Sequence, residues 1–513
     1  MSAIITDQLR IFNAENFISS FESEDNNYYS FVGLTNSTDY DTNWEQTPPS
    51  PIDSLDNYHD IWDTIIALKK INSDDVRQVV RKIEWESGTT YDMYRHDISR
   101  NRLSVPSSRT SLYESNFYVI NSDYRVYICL QNGIDPENPN GRPSIDEPTF
   151  TDLEPKSAGS SGDGYIWKYL FTIKPSDIVK FDSINYIPVP KNWSTSTDTS
   201  AIRTNANPLI SGQLKIATIL SRGSGLGSPK VYTNVPIIGD GFDAEATIVV
   251  GSDSTVESIS ITNGGYGYTY GTIDIKSAGI TGDVLPTFEV IIPPLKGHGY
   301  DIYKDLGAKS VLIYSRIEND NLNPDFITGN KIARIGVLKN PLSPGTTDTN
   351  LSIPKASNTY AIKLSGSFTS ASFAANSTIT QTVSTGTTAV GRVVSYDNRT
   401  GVLKYWQDRS IVGFQTGNSN LSFTPQYGYE LIRFSSSGGS INGVTNTLPI
   451  DTSFTGLSTT INSITYNLGQ SFTNGISTPE VEKYSGEMIY IDNRPSITRS
   501  PNQKEDIKVI LQF

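Results

Sequence analysis

The 513-residue sequence holds a single cysteine, Cys129. One thiol cannot make an internal disulfide, which excludes a disulfide-stapled secreted scaffold and fits synthesis in a reducing cytosol. Histidine is nearly as scarce, with only His59, His96 and His298. No two of these have metal-ligand spacing, and one cysteine cannot form a thiolate cluster. They read as ordinary surface or core residues, and no metal is expected. Bases are outnumbered, 41 Lys and Arg against 54 Asp and Glu, for a net charge of −13. A nucleic-acid binder needs a basic surface to displace counterions, and no Lys/Arg cluster stands out, so nucleic acid is not expected as a partner. An anionic membrane surface is disfavoured for the same reason. No apolar run approaches the ~20 residues that span a bilayer. The opening "MSAIITDQLRIFNAENF" has no basic region followed by an apolar core, so no signal peptide is expected. The default partner is another protein.

The length points to two to four domains. Apolar residues make up 36%, low for a compact enzyme, while 40 glycines, 27 prolines and 28 tyrosines suit short strands joined by turns. The expected fold class is mainly β with a minor α component, in a multidomain chain.

Along the chain, "DNYHDIWDTIIALKKI" (56–71) reads as a short helix. Asp56 or Asn57 caps it, and Ile61, Ile65 and Leu68 share a face. "NSDDVRQVVRKIEW" (72–85) is ambiguous between helical spacing and β-branched content. "NFYVINSDYRVYICL" (116–130) reads as a hairpin turning at Asn121-Ser122-Asp123, and "YIWKYLFTI" (165–173) as a buried strand. The turn-rich 131–164 reads as an irregular surface connection. Residues 205–292 are rich in Gly, Ser, Thr and Ile and carry an internal repeat with an offset of 42 residues. Ile219 to Leu226 align with Ile261 to Tyr268, and Ala244 to Val250 with Pro286 to Ile292. Two such units pair into one small β domain. Residues 346–480 are Ser/Thr-rich, and "GRVVSYDNRTGVLKYW" (391–406) is a second hairpin. "EDIKVILQF" reads as a terminal strand with one buried face.

Motifs for chemistry are scarce. There is no G-x-S-x-G elbow and no Walker A pattern. "RGSGLGSPK" (222–230) has glycines in neither phosphate spacing and reads as a β corner. "ENDNLNPDF" (318–326) has alternate asparagines but lacks the glycine and glutamate of an EF-hand loop. It reads as an exposed turn, with a loosely bound cation as the alternative. Carboxylate pairs suited to a glycosidase arise by chance among 54 acids. The stretch "YSGEMIYIDNRPSI" (484–497) reads as strand, turn, strand. Asp492-Asn493-Arg494-Pro495 is the turn, and Asp492 and Arg494 brace it. Neither a catalytic residue nor a cofactor is expected, and the chain does not read as an enzyme.

Several of these stretches carry a family resemblance. "SGEMIYIDNRP" (485–495) is similar to the C-terminal motif of the baseplate wedge protein (gene product eight) family of T-even-like contractile-tailed phages. The matching positions are Ser485, Gly486, Glu487, Tyr490, Asn493, Arg494 and Pro495. "GDGYIWKYLFTI" resembles the family core through Gly162, Asp163, Gly164, Tyr165, Trp167 and Tyr169. "NWEQTPPSPIDSLDNYHDIWDTIIALKKI" (43–71), "VYICL" (126–130) and "GNKIARIGVLKNPL" (329–342) resemble further segments, in the family's order. The resemblance implies a β-sandwich-like core in three parts (1–204, 293–345 and 481–513) with two β-rich insertions (205–292 and 346–480). It also implies a virion protein, assembled in the host cytoplasm into the tail baseplate. Expected partners are a second copy of itself within a wedge and proteins resembling gene products ten, seven and six. The alternative is a receptor-binding or adhesin-like tail protein acting through the insertions, with a tail-associated glycan hydrolase as a more distant rival.

Overall fold

The computed structural model of the chain describes residues 5–35, 44, 46–206, 212–318, 327–407, 432–500 and 503–513. It is mainly β, 41% strand and 11% helix, in several antiparallel sheets, as the turn-rich composition predicts. The chain divides into two compact units. The first is Met1–Ile18 with Arg77–Leu312 and Ile510–Phe513; the second is Ser19–Val76 with Ile313–Val509.

In the first unit, Tyr118–Ile120, Arg125–Asn132 and Tyr165–Thr172 form a three-stranded sheet. The hairpin stands where it is expected, with Tyr118 opposite Ile128 and Ile120 opposite Val126. Its turn is held by the Asn121 carboxamide oxygen, which accepts from the backbone N–H of Asp123 (3.0 Å) and Arg125 (2.8 Å). Val126 to Leu130 are all buried, so the alternation along this strand separates two buried faces. Phe117, Tyr127, Trp167, Phe171 and Trp193 join one core around it. Each such side chain contributes ~1.5–3 kcal/mol by leaving water. Residues 133–164 contain no helix or strand, only isolated bridges such as Lys156 to Trp167.

Residues 205–292 belong to this same unit. Strand Ile216–Ser221 pairs with Thr287–Ile291, and Phe242–Val250 pairs with Val256–Tyr266. The two registers coincide at an offset of 42. Phe288 faces Ile219 as Ala246 faces Ile261, and Val290 faces Ala217 as Ile248 faces Ile259. Even the bulge falls at the same place, between Thr287 and Phe288 and between Glu245 and Ala246. Most of the block's apolar residues make their own core, including Val235, Ala246, Ile248 and Val256. Ile216 and Ile291 instead join the core around Trp167. Glu289 then takes the buried Arg95 (2.7 Å) and Arg102 (2.6 Å), tying the block to residues upstream.

In the second unit a five-stranded sheet runs Lys355–Ser357, Ile65–Ile71, Tyr28–Gly33, Lys331–Lys339, Glu487–Thr498. The expected helix over 56–71 is only half correct. The helix is Leu55–Thr64, capped by Ser54, whose hydroxyl accepts from the Asn57 N–H at 3.2 Å. At Ile65 the chain becomes a strand. The β-branched pair Ile65-Ile66 starts it, and pairing with Tyr28–Gly33 outweighs local helical spacing. The ambiguous 72–85 resolves into a short 3-10 turn, Ser73–Asp75, and strand Val76–Arg81. A seven-stranded sheet holds the second expected hairpin, Thr387–Asp397 with Val402–Trp406. The Ser/Thr-rich stretch also contributes Lys355–Ser357 to the five-stranded sheet. The terminal strand Lys504–Gln512 is present, with Val509 buried. Helix Asp7–Ser20 has no counterpart in the sequence expectations. It lacks an apolar stripe and buries only Ile11 and Ala14. Of the stretch weighed as a calcium loop, residues 319–326 lie outside the described residues.

Candidate functional site

Gly162 to Tyr169 form a latch in the first unit. Gly162 and Gly164 have φ of +70° and +86°, which side chains rarely adopt. A Cβ on Gly164 would also sit 2.8 Å from the Gly133 Cα. Between them the buried Asp163 carboxylate accepts the N–H groups of Ile145 (2.9 Å) and Tyr165 (3.0 Å). Tyr165 stacks on Trp167 with ring centroids 5.3 Å apart. Its hydroxyl donates to the Arg142 carbonyl (2.7 Å) and accepts from the Tyr91 N–H (2.9 Å). Burial raises the Tyr165 pKa well beyond the usual tyrosine range, so it stays a neutral donor. Tyr169 lies edge-on to Tyr127. These bonds fix the irregular 133–164 segment to the sheet.

The C-terminal motif is a clip in the second unit. The Ser485 hydroxyl accepts from the Leu342 N–H (2.9 Å) and donates to the Glu482 carbonyl (2.6 Å). Gly486, at φ +74°, passes so close to Lys339 that a Cβ would lie 2.6 Å from its carbonyl oxygen. Glu487 and Tyr490 sit opposite Lys339 and Val337. Asp492 to Pro495 do not form the expected turn. They lie inside strand Glu487–Thr498, where Ile332 faces Ile497 and Arg334 faces Asn493. Between these pairs one residue, Ala333, stands against three, Arg494 to Ser496, a bulge that accommodates Pro495 and its missing N–H. Asp492 and Arg494 do pair, at 3.2 Å. Asn493 accepts from Arg334 Nε (3.0 Å) and donates to the Pro49 carbonyl (2.8 Å). The Trp44 indole N–H donates to the Arg494 carbonyl at 2.8 Å. The Arg334 guanidinium lies 5.2 Å from the Trp44 ring centroid. The motif therefore holds Trp44 and Pro49, far away in sequence.

A buried titratable cluster in the first unit comprises Lys168, His298 and Asp305. Its members stay apart in sequence, and only a lysine inside the apolar "YIWKYLF" hinted at it. Lys168 Nζ donates to the Leu153 carbonyl and the Asn205 side chain, both at 2.8 Å, and burial pulls its pKa down to about 8. Burial, helped by the Lys168 charge, pulls His298 down to about 3. Burial pushes Asp305 up to about 7, against the opposing N–H of Gly299 at 2.5 Å. His298 and Asp305 approach to 3.8 Å, yet a neutral imidazole makes no ion pair there at neutral pH. Shifts like these can mark catalysis. Here the two side chains are only 5% and 3% exposed, and the Tyr94 ring lies edge-on to the imidazole at 4.4 Å. Both side chains are therefore shut away from solvent. His96 accepts the Ile292 N–H, His59 packs on Tyr484, and burial raises the Cys129 thiol pKa. Among the described residues no three His, Cys, Asp or Glu side chains come together to hold a metal.

Comparison with known proteins places the N-terminal part. Residues 3–156 match the family model described as Bacteriophage T4, Gp8. No curated protein matches the chain. The matched span includes the hairpin and the helix-to-strand switch at Ile65, and it ends before Gly162. Over residues 3–156, under a third of its length, the chain is similar to the Bacteriophage T4 Gp8 family.

Proposed function

We propose that the chain is a structural subunit of the baseplate wedge of a contractile phage tail, retained in the virion and catalysing no reaction. The family match over residues 3–156 carries this reading. The two motifs support it, because Asp163, Tyr165, Ser485 and Asn493 in them are spent on bracing backbone. Its partners are a second copy, in an isologous pair, and neighbouring wedge proteins resembling gene products ten, seven and six. The second reading, receptor binding through the β-rich blocks, is favoured by one observation. Phe242 and Tyr266 form an exposed ring pair at 5.5 Å, 61% and 45% accessible, at the end of the repeat's sheet.

Co-expression with the neighbouring wedge proteins of its own phage, followed by sedimentation and electron microscopy, tests the proposal. A wedge containing two copies of this chain is expected. A chain that sediments alone as a monomer, absent from purified tails, overturns it. The F242S/Y266S variant separates the readings. Normal incorporation with lost host attachment supports receptor binding, and normal attachment removes it.

A further inference from the structure

The first unit contains a cavity of about 260 Å³ whose walls are mainly basic. Arg10, Arg81, Arg109 and Lys309 line it, against one acidic side chain, Glu114. This is unusual in a chain whose acids outnumber its bases 54 to 41. Lys309 is paired with Asp7 at 2.9 Å. Arg10, Arg81 and Arg109 have no ion-pair partner among the described residues. One arm of the Arg81 guanidinium donates to the Ser115 carbonyl at 2.8 Å, while its Nε is buried without any hydrogen-bond partner. Tyr113, Tyr118 and Tyr186 complete the wall. The hydroxyls of the first two are spent on the carbonyls of Lys304 and Arg81, and that of Tyr186 accepts from Gln512.

Guanidiniums gathered in one cavity repel one another, and an unpaired buried N–H loses its hydration. Both costs are relieved by an oxyanion, which a guanidinium grips with two parallel N–H bonds. The volume lies just below the ~300 Å³ floor of small-ligand pockets, so it suits one or two oxyanion groups and not a nucleotide. We propose that this cavity is a socket for the carboxylates of an acidic polypeptide segment of a partner protein. Arg81 forms its floor and the exposed Arg109 its rim. Charge complementarity carries the choice: four basic side chains line the socket in a chain whose net charge is −13.

Calorimetric titration of the isolated full chain with penta-glutamate tests it, so the result does not depend on the baseplate reading. Penta-lysine and inorganic phosphate serve as parallel probes. Penta-glutamate is expected to bind, weakening as salt is raised from 50 to 300 mM, with penta-lysine silent. R109Q, at an exposed position that leaves the fold intact, is expected to weaken binding at least threefold, and R81Q/R109Q at least tenfold. Absence of penta-glutamate binding overturns the proposal. So does binding that R109Q leaves unchanged, and so does saturable phosphate binding without peptide binding.

Discussion

Asp305 and His298 are neighbours that titrate in opposite senses. Asp305 has its folded pKa raised from 3.8 to about 7. Its contribution to stability is full below pH 3.8 and is lost as pH rises through 7. His298 has its folded pKa lowered from 6.5 to about 3, so its contribution is full above 6.5 and is lost as pH falls towards 3. Between about pH 4 and 6.5 the two slopes largely cancel. D305N removes one slope and keeps an oxygen for the Gly299 N–H. Its urea midpoint is expected to rise from pH 3 to 6.5 and then stay flat through 7. At pH 8 it should exceed the parent by on the order of 1–2 kcal/mol, because no carboxylate is held desolvated. A variant less stable than the parent at pH 8 would contradict the burial argument. None of this was legible in the sequence, since His298 and Asp305 meet Lys168 only through tertiary packing.

The duplicated strand pair makes an equally sharp claim for the β corners. Gly223 and Gly265 have φ of +69° and +57°, and each backs onto the strand entering its pair. A Cβ on Gly223 would lie 2.6 Å from the Val284 carbonyl oxygen, and one on Gly265 would lie 2.2 Å from that of Phe242. Gly227, at φ +92°, has nothing within 4 Å. G227A should therefore cost only the torsional ~1–2 kcal/mol. G223A and G265A should each cost more, about 3 kcal/mol or above, because backbone must move as well. Equal urea midpoints for all three variants would contradict this. Gly223 and Gly265 were readable as a corner because they hold the same position in the two copies of the repeat. The two hairpins were readable too, since turn chemistry and alternation sit within 20 residues of each other. Two expectations failed where the deciding partner is distant. Ile61, Ile65 and Leu68 fit a helix, but the strand that claims Ile65 onward begins at Tyr28. Asp492 to Pro495 has turn composition, yet Lys331–Lys339 and the Pro49 carbonyl hold it as a bulged strand. For the candidate site, the motif residues were legible as a pattern, while what they grip was not.

Each compact unit has its own apolar cores. Trp167, Tyr165 and Phe171 centre one in the first unit, while Phe31, Trp62 and Leu338 centre one in the second. The first unit draws most of its chain from one continuous stretch, Arg77–Leu312, and the second closes around segments from either side of it, Ser19–Val76 and Ile313–Val509. Joining such separated segments requires long loop closure, which the clip at Asn493 offsets by bonding residues from both. Domains with separate cores unfold as separate cooperative steps. Calorimetry of the full chain should then resolve two transitions. D305N should move only the transition of the first unit, upward at pH 8. N493A strips Arg334 and the Pro49 carbonyl of their partner, and should lower only the other by ~1–3 kcal/mol. A single transition shifted by both substitutions would show that the cores melt together, and the two-unit account would have to be given up.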